Sequence, residues 1–253
     1  MSVALGPTVR TLVIVAAICL FYHWGIGRGT PDLTRVLRWL VRHTRSARQY
    51  SAKDAEAIVW LCLWSALQAV FAVGLVLVSG FDFEDLFIIA FHPALIPYGV
   101  FLGIGEVALV SLFSYALSGA AMRVVAGGAG IGISNTSAMV QAGWRRVVLK
   151  PMEVAPLVLI LPVIVLLLAV EETVFRGVVI TSLRNVADGI APVISVTLFL
   201  IARTMGAASW PGRLLVGVEA LVLGTVHAAL YLAVPNLVPL VIAQEVYVVA
   251  KNL

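Results

Sequence analysis

Residues 154–177 read VAPLVLILPVIVLLLAVEETVFRG. Val154 through Val170 carry no charge, and a membrane-crossing helix uses about 20 apolar residues, so this run predicts most of a transmembrane span. The helical pattern continues through Glu171, Glu172 and Arg176 toward Arg184, which places two acids and a base at the end of an apolar helix.

The rest of the chain has the same character. Of 253 residues, 61% are hydrophobic and 12% charged, against about 45–50% and about 25% in a soluble domain. The 17 basic and 13 acidic residues could not clothe a water-soluble globule of this size, and the mean hydropathy of +1.05 agrees. The sequence therefore predicts an all-α, polytopic integral membrane helix bundle with about seven transmembrane helices and an amphipathic interfacial helix, and it leaves no room for a separate soluble domain.

The predicted spans are Thr11–Gly27, Ala57–Ser79, Tyr98–Ala121, the run opening at Val154, Ile190–Met205, Leu214–Val234 and Leu237–Val249. The first follows Arg10 and lacks a small-x-small cleavage site, so it reads as a retained span rather than a signal peptide. Pro93 and Pro97 are expected to divide Leu86–Ile96, an interfacial or re-entrant piece, from the third span. Two regions follow: residues 1–153, N-terminal membrane helices with basic cytoplasmic loops, and residues 154–253, a core of helices around the charged run.

Positive charge orients the bundle. Arg28 to Lys53 holds seven of the 17 Lys and Arg residues, and the Gly-rich segment from Arg123 to Lys150 holds four more, so both are expected in the cytoplasm of a prokaryotic cell membrane. That parity puts the Glu171 end of its helix on the other face. Within the first basic loop, Leu33, Val36, Leu37, Leu40 and Val41 recur at helical spacing opposite the arginines, which predicts a surface helix on the membrane. The pI near 9.3 accordingly points to anionic lipid as partner, not nucleic acid. Cys19 and Cys62 lie in apolar runs and read as buried small hydrophobes rather than a disulfide or a metal pair.

Charges inside apolar segments are the functional signal, since each costs about 2.5–3.5 kcal/mol at a helix centre on insertion scales. They are Glu106, Glu171, Glu172, Arg176, Arg203, Glu219, His227 and Glu245. Glu172 and Arg176 are four apart and share a helix face, whereas Glu171 points about 100° away. Glu172 is then the ionised, orienting member, and Glu171 the candidate general base. A lone Glu-x-x-x-Arg is explained by a structural ion pair; two adjacent buried glutamates are not explained by packing. Glu106, in Gly103-Ile-Gly105-Glu106, reads as a paired acid at a close helix contact. Glu219, Gln244 and Glu245 give the last two spans a polar character that suits a water-filled cavity.

EETVFRG resembles the EExxxR signature of the CPBP family, the CAAX-protease and bacteriocin-processing membrane proteins, also called the Abi or type II CAAX prenyl endopeptidase family. The resemblance extends over Val154–Val248. Phe199-Leu-Ile-Ala-Arg203 is similar to the family's FxxxH motif, and Asn236-Leu-Val-Pro-Leu-Val-Ile-Ala-Gln244 to the segment leading into HxxxN. The resemblance implies an intramembrane endopeptidase in which glutamate activates water and histidine and asparagine hold the oxyanion. It further implies a membrane-tethered or prenylated protein substrate, or roles in bacteriocin maturation or immunity.

Carried over by position, Glu171 is the base and Glu172 and Arg176 its supporting pair. The chain departs from the pattern at Arg203, Gln244 and Val248, which stand where the histidines and asparagine are expected. Arg203 and Gln244 can still donate hydrogen bonds to an oxyanion, but neither relays protons near neutral pH. Arg203 is also placed to pair with Glu171, which would weaken it as a base. His227 is a candidate for part of the vacated site. Some members are classed as metalloproteases, but Glu171, Glu172 and His227 make a poor zinc set without a second imidazole, so no cofactor is expected. The candidate catalytic set is thus Glu171, Glu172, Arg176, Arg203, Gln244 and His227. The alternatives are a catalytically inactive relative acting as scaffold, immunity or regulatory protein, and a small transporter.

Overall fold

The computed structural model describes residues 6–25, 30–44, 49–81, 92–125, 144–207 and 210–251, and among these every regular element is helical. The helices are α1 (Pro7–His23), α2 (Thr30–His43), α3 (Ala52–Ser79), α4 (Leu95–Val125), α5 (Trp144–Val154), α6 (Leu157–Glu172), α7 (Thr181–Ala187), α8 (Ala191–Thr204), α9 (Trp210–Ala233) and α10 (Val238–Ala250). A π-helical segment, Thr173–Ile180, joins α6 to α7, so one continuous rod runs from Leu157 past the acidic pair.

Among the described residues, four rods are long and apolar enough to cross a bilayer: Ala52–Ser79, Leu95–Ala116, Leu157–Arg184 and Gly212–Ala233. The two with 28 residues reach about 42 Å at 1.5 Å per residue, more than the ~30 Å of a hydrocarbon core. Helices α1, α8 and α10 are apolar but shorter and fall below that length, so of the about seven spans expected, four helices among the described residues have a spanning length. The protein is a multi-pass integral membrane protein.

Helix ends follow local chemistry. Ser51 caps α3 by accepting from the Asp54 N–H at 3.3 Å, which starts the helix five residues before the expected Ala57. Gly80 closes it in the left-handed conformation at φ 68°, and Arg10 Nη1 donates to Ser79 O at 2.8 Å. Pro97 lies in the first turn of α4, where a missing N–H is tolerated, so it does not break the helix. Most of the interfacial piece Leu86–Ile96, and the cluster Asp82, Glu84 and Asp85, lie outside the described residues.

The expected surface helix forms as α2. Leu37 is buried, Leu40 and Val41 are partly buried, and Val36 is exposed, so the stripe docks on α3 along one edge. The segment expected as a polar loop up to Lys150 instead ends in α5, whose Val148 is buried as the helix packs on α3.

Apolar side chains face outward as well as inward: Val158 is 82% exposed and Phe101 74%. In a bilayer that surface meets lipid, so the outside needs no polar coat. Cys19 and Cys62 belong to this outer surface; both are free and exposed, which corrects the expectation that they are buried. The rod α6–α7 sits at the centre, with its π-helical segment packed against α1, α3, α8 and α9. Helix α4 lies along α10 at backbone contact, because a Cβ on Gly99 would fall 2.7 Å from Ile242 Cβ and one on Gly103 2.8 Å from Val246 Cβ.

Candidate active site

The acidic pair ends α6 where the backbone changes pitch. From Thr173 to Ile180 the helix is widened, with N–H groups bonding back five residues rather than four, and every residue in it is buried. Neighbouring side chains engage the local carbonyls: Ser195 Oγ of α8 donates to Phe175 O at 2.7 Å, and Thr173 Oγ1 to Ala169 O at 2.7 Å. Such π-helical turns are frequent at functional sites.

Glu172 and Arg176 still share a face across this change, with Nη1 3.3 Å from Oε1, and both side chains are fully buried. The same Oε1 lies 3.0 Å from His227 Nδ1 of α9. The other ring nitrogen, Nε2, lies 2.7 Å from Glu106 Oε1 of α4. That contact is off the N–H direction, so it is ionic more than a directed hydrogen bond. Arg176 Nη2 reaches Gly224 O on α9 at 3.5 Å.

Glu171 faces a different set of partners. Arg203 Nη2 of α8 donates to its Oε2 in a direct ion pair. Gln244 of α10 lies between the two acids and can donate to either. In one amide orientation its Nε2 donates to Glu171 Oε2 at 3.3 Å. Turned over, it donates to Glu172 Oε1 at 3.0 Å while its oxygen accepts from Arg203. The second orientation satisfies both ends of the amide, since the first leaves its oxygen facing only acceptors.

An aromatic floor holds the two guanidinium groups. Arg176 Cζ lies 4.4 Å from the centroid of the Phe199 ring and Arg203 Cζ 4.9 Å, cation–π contacts that neutral aliphatic packing would not supply. Phe199 itself packs edge-to-face on Phe175 with centroids 5.3 Å apart. Tyr22 of α1 packs on Phe175 at 5.6 Å, and its hydroxyl accepts from Gln68 Nε2 at 3.3 Å.

The fold thus brings together all six residues singled out in the sequence: Glu171, Glu172, Arg176, Arg203, Gln244 and His227. Val248, at the expected asparagine position, is buried one turn beyond Gln244 and has no side-chain donor. Glu219 is buried elsewhere on α9, and Glu245 is half-buried beside Gln244, its carboxylate oxygens making no hydrogen bond. Glu106 and Phe199 were not among the six. Glu106 gave the signal of an intramembrane acid, and Phe199 that of the motif's aromatic position, but neither identified its contacts.

Both ring nitrogens of His227 face carboxylates, and guanidinium groups sit on Glu171 and Glu172. Among the described residues no group of three His, Cys, Asp or Glu side chains is arranged to hold one.

A buried Glu-Glu-x-x-x-Arg, with cross-helix donors on both acids, defines a multi-pass membrane protein built around a buried ionic site. Residues 153–249 match the family model described as type II CAAX prenyl endopeptidase Rce1-like. No curated protein and no solved structure matches the chain.

Proposed function

We propose that the protein is an intramembrane endopeptidase of the type II CAAX prenyl endopeptidase kind, acting on a membrane-tethered or prenylated protein. One observation carries the proposal: Glu171, paired with Arg203 of a second helix and with Gln244 of a third beside that pair, stands at the edge of the cluster that retains exposure. Glu171 is 6% exposed and Arg203 4%, whereas Glu172, Arg176 and His227 are fully closed.

The chemistry follows from that asymmetry. Water at Glu171 gives a proton to the carboxylate as its oxygen attacks the scissile carbonyl carbon. The carbonyl oxygen becomes an oxyanion, for which the N–H groups of Arg203 and Gln244 are donors. Collapse breaks the C–N bond, the proton held by Glu171 passes to the leaving nitrogen, and the carboxylate is restored. Arg203 pairs with Glu171 before substrate enters, so it moves from the carboxylate to the substrate oxygen during the reaction. Glu172, held by Arg176 and His227, stays a charged support.

The same proposal has α1, α8 and α10 complete seven crossings with the four long helices. It puts the basic segments on the cytoplasmic side of a prokaryotic cell membrane and α2 on the lipid surface. Apolar composition of the short helices and the docking of α2 support it.

The test is cleavage of a prenylated peptide by the protein in proteoliposomes. Wild type is expected to cut and Glu171→Gln to lose the activity; equal cleavage by both removes Glu171 from the chemistry. One observation favours a non-cutting relative of the same fold, with a scaffold, immunity or regulatory role: the Arg203–Glu171 pair neutralises the proposed base. That alternative predicts an inert wild type and a gain of cleavage in the double variant Arg203→His with Gln244→His.

A further inference from the structure

The residue that lies outside the family segment is the informative one. Glu106 comes from α4, and its carboxylate, 1% exposed, meets the site at His227. His227 therefore has a carboxylate oxygen at each ring nitrogen, 3.0 Å from Nδ1 and 2.7 Å from Nε2.

A neutral imidazole has one N–H and one lone pair. With carboxylates on both sides, a neutral ring would leave one buried carboxylate oxygen beside a nitrogen that carries neither proton nor charge, in a place where water does not relieve it. Charge balance gives the same answer independently. Three carboxylates, Glu106, Glu171 and Glu172, share the cluster with two guanidiniums, Arg176 and Arg203, and an unbalanced charge there is expensive. A cationic ring makes the count three against three.

We propose that Glu106 is a positioning residue of this site, acting on Glu172 through His227 in a bridge whose imidazole carries a proton on both nitrogens. The bridge holds Glu172 from the side opposite Arg176 and ties α4 to the catalytic helices. It would fix the acidic pair without a histidine in either family motif. The positioning role rests on the peptidase function proposed above, while the protonation of the ring does not.

Glu106→Gln separates charge from shape. With an amide at position 106, a neutral ring is satisfied: Nδ1–H donates to Glu172, and Nε2 accepts from the amide NH₂. Nitrogen-15 NMR of histidine-labelled protein in liposomes near neutral pH reads this directly, with the His227 signal assigned by its loss in His227→Gln. The wild type and Glu106→Asp are expected to show two ring N–H groups, and Glu106→Gln one. A singly protonated ring in the wild type overturns the bridge.

In the peptide assay, Glu106→Gln and His227→Gln are each expected to lower kcat by about 10- to 100-fold with KM little changed, as for other outer-shell partners. The double variant should be no worse than the poorer single one, and additive losses would overturn a shared role. A wild type that shows two ring N–H groups yet cuts no peptide supports the bridge and removes the peptidase function instead.

Discussion

Glu171 and Glu172 are chain neighbours with the same side chain, yet they live in opposite halves of one cluster. Glu172 is enclosed, with Arg176 and His227 at 3.3 and 3.0 Å and no exposure. Glu171 pairs with Arg203, with Gln244 beside the pair, at the two positions where the sequence departs from the motifs it resembles, and keeps a small exposed edge. Enclosure serves stability and orientation; an edge serves access. The comparison therefore assigns loss of activity to one half and loss of fold to the other.

The sharpest way to break it is at Glu171 itself. Glu171→Gln is expected to lower kcat by about 100- to 10,000-fold, the range for a general base, while the protein still extracts and elutes as wild type. In the enclosed half, Arg176→Met leaves Glu172 without its guanidinium and should destabilise the fold by about 3–5 kcal/mol. Resistance to unfolding in mixed micelles measures that loss. Should Glu171→Gln unfold the protein and Arg176→Met merely slow it, the two halves have been assigned the wrong way round.

Arg203 tests the exposed half from the partner's side. Arg203→Leu removes a donor for the oxyanion, which in well-studied hydrolases lowers kcat by about 100- to 1000-fold. Glu171 then keeps its exposed edge, so the fold is expected to survive. An increase in kcat on this substitution would mean that Arg203 restrains Glu171 rather than assisting it.

Sequence reading located these groups because intramembrane charge is costly and so needs a reason wherever it occurs. The acidic pair, Arg176, Arg203, Gln244 and His227 could all be named from spacing, cost and resemblance. Their connectivity could not. Glu106 and His227 meet because α4 lies along α10 and also contacts α9, a tertiary fact that no local pattern encodes. The π-helical segment was equally hidden, since a 3.6-residue period was assumed and Thr173–Ile180 has no proline to mark the change. Cys19 and Cys62 misled for a simpler reason: in a bilayer an apolar setting does not imply burial.

The smallest expected effect probes how α4 delivers Glu106. The run Gly103-Ile-Gly105-Glu106 suggested that both glycines permit close packing, but the structure separates them. A Cβ at Gly103 would meet Val246 Cβ at 2.8 Å, whereas one at Gly105 meets nothing within 4 Å. Gly103→Ala must therefore push α4 off α10 and draw Glu106 away from His227, an overpacking cost of about 1–3 kcal/mol. Gly105→Ala adds a methyl to an open face and, by replacing glycine within a helix, should be neutral or stabilising by about 0.5–1 kcal/mol. Measured side by side, the two variants isolate the helix contact from the glycine itself. Equal destabilisation by both would show that backbone freedom, and not the approach of α10, is what position 103 supplies.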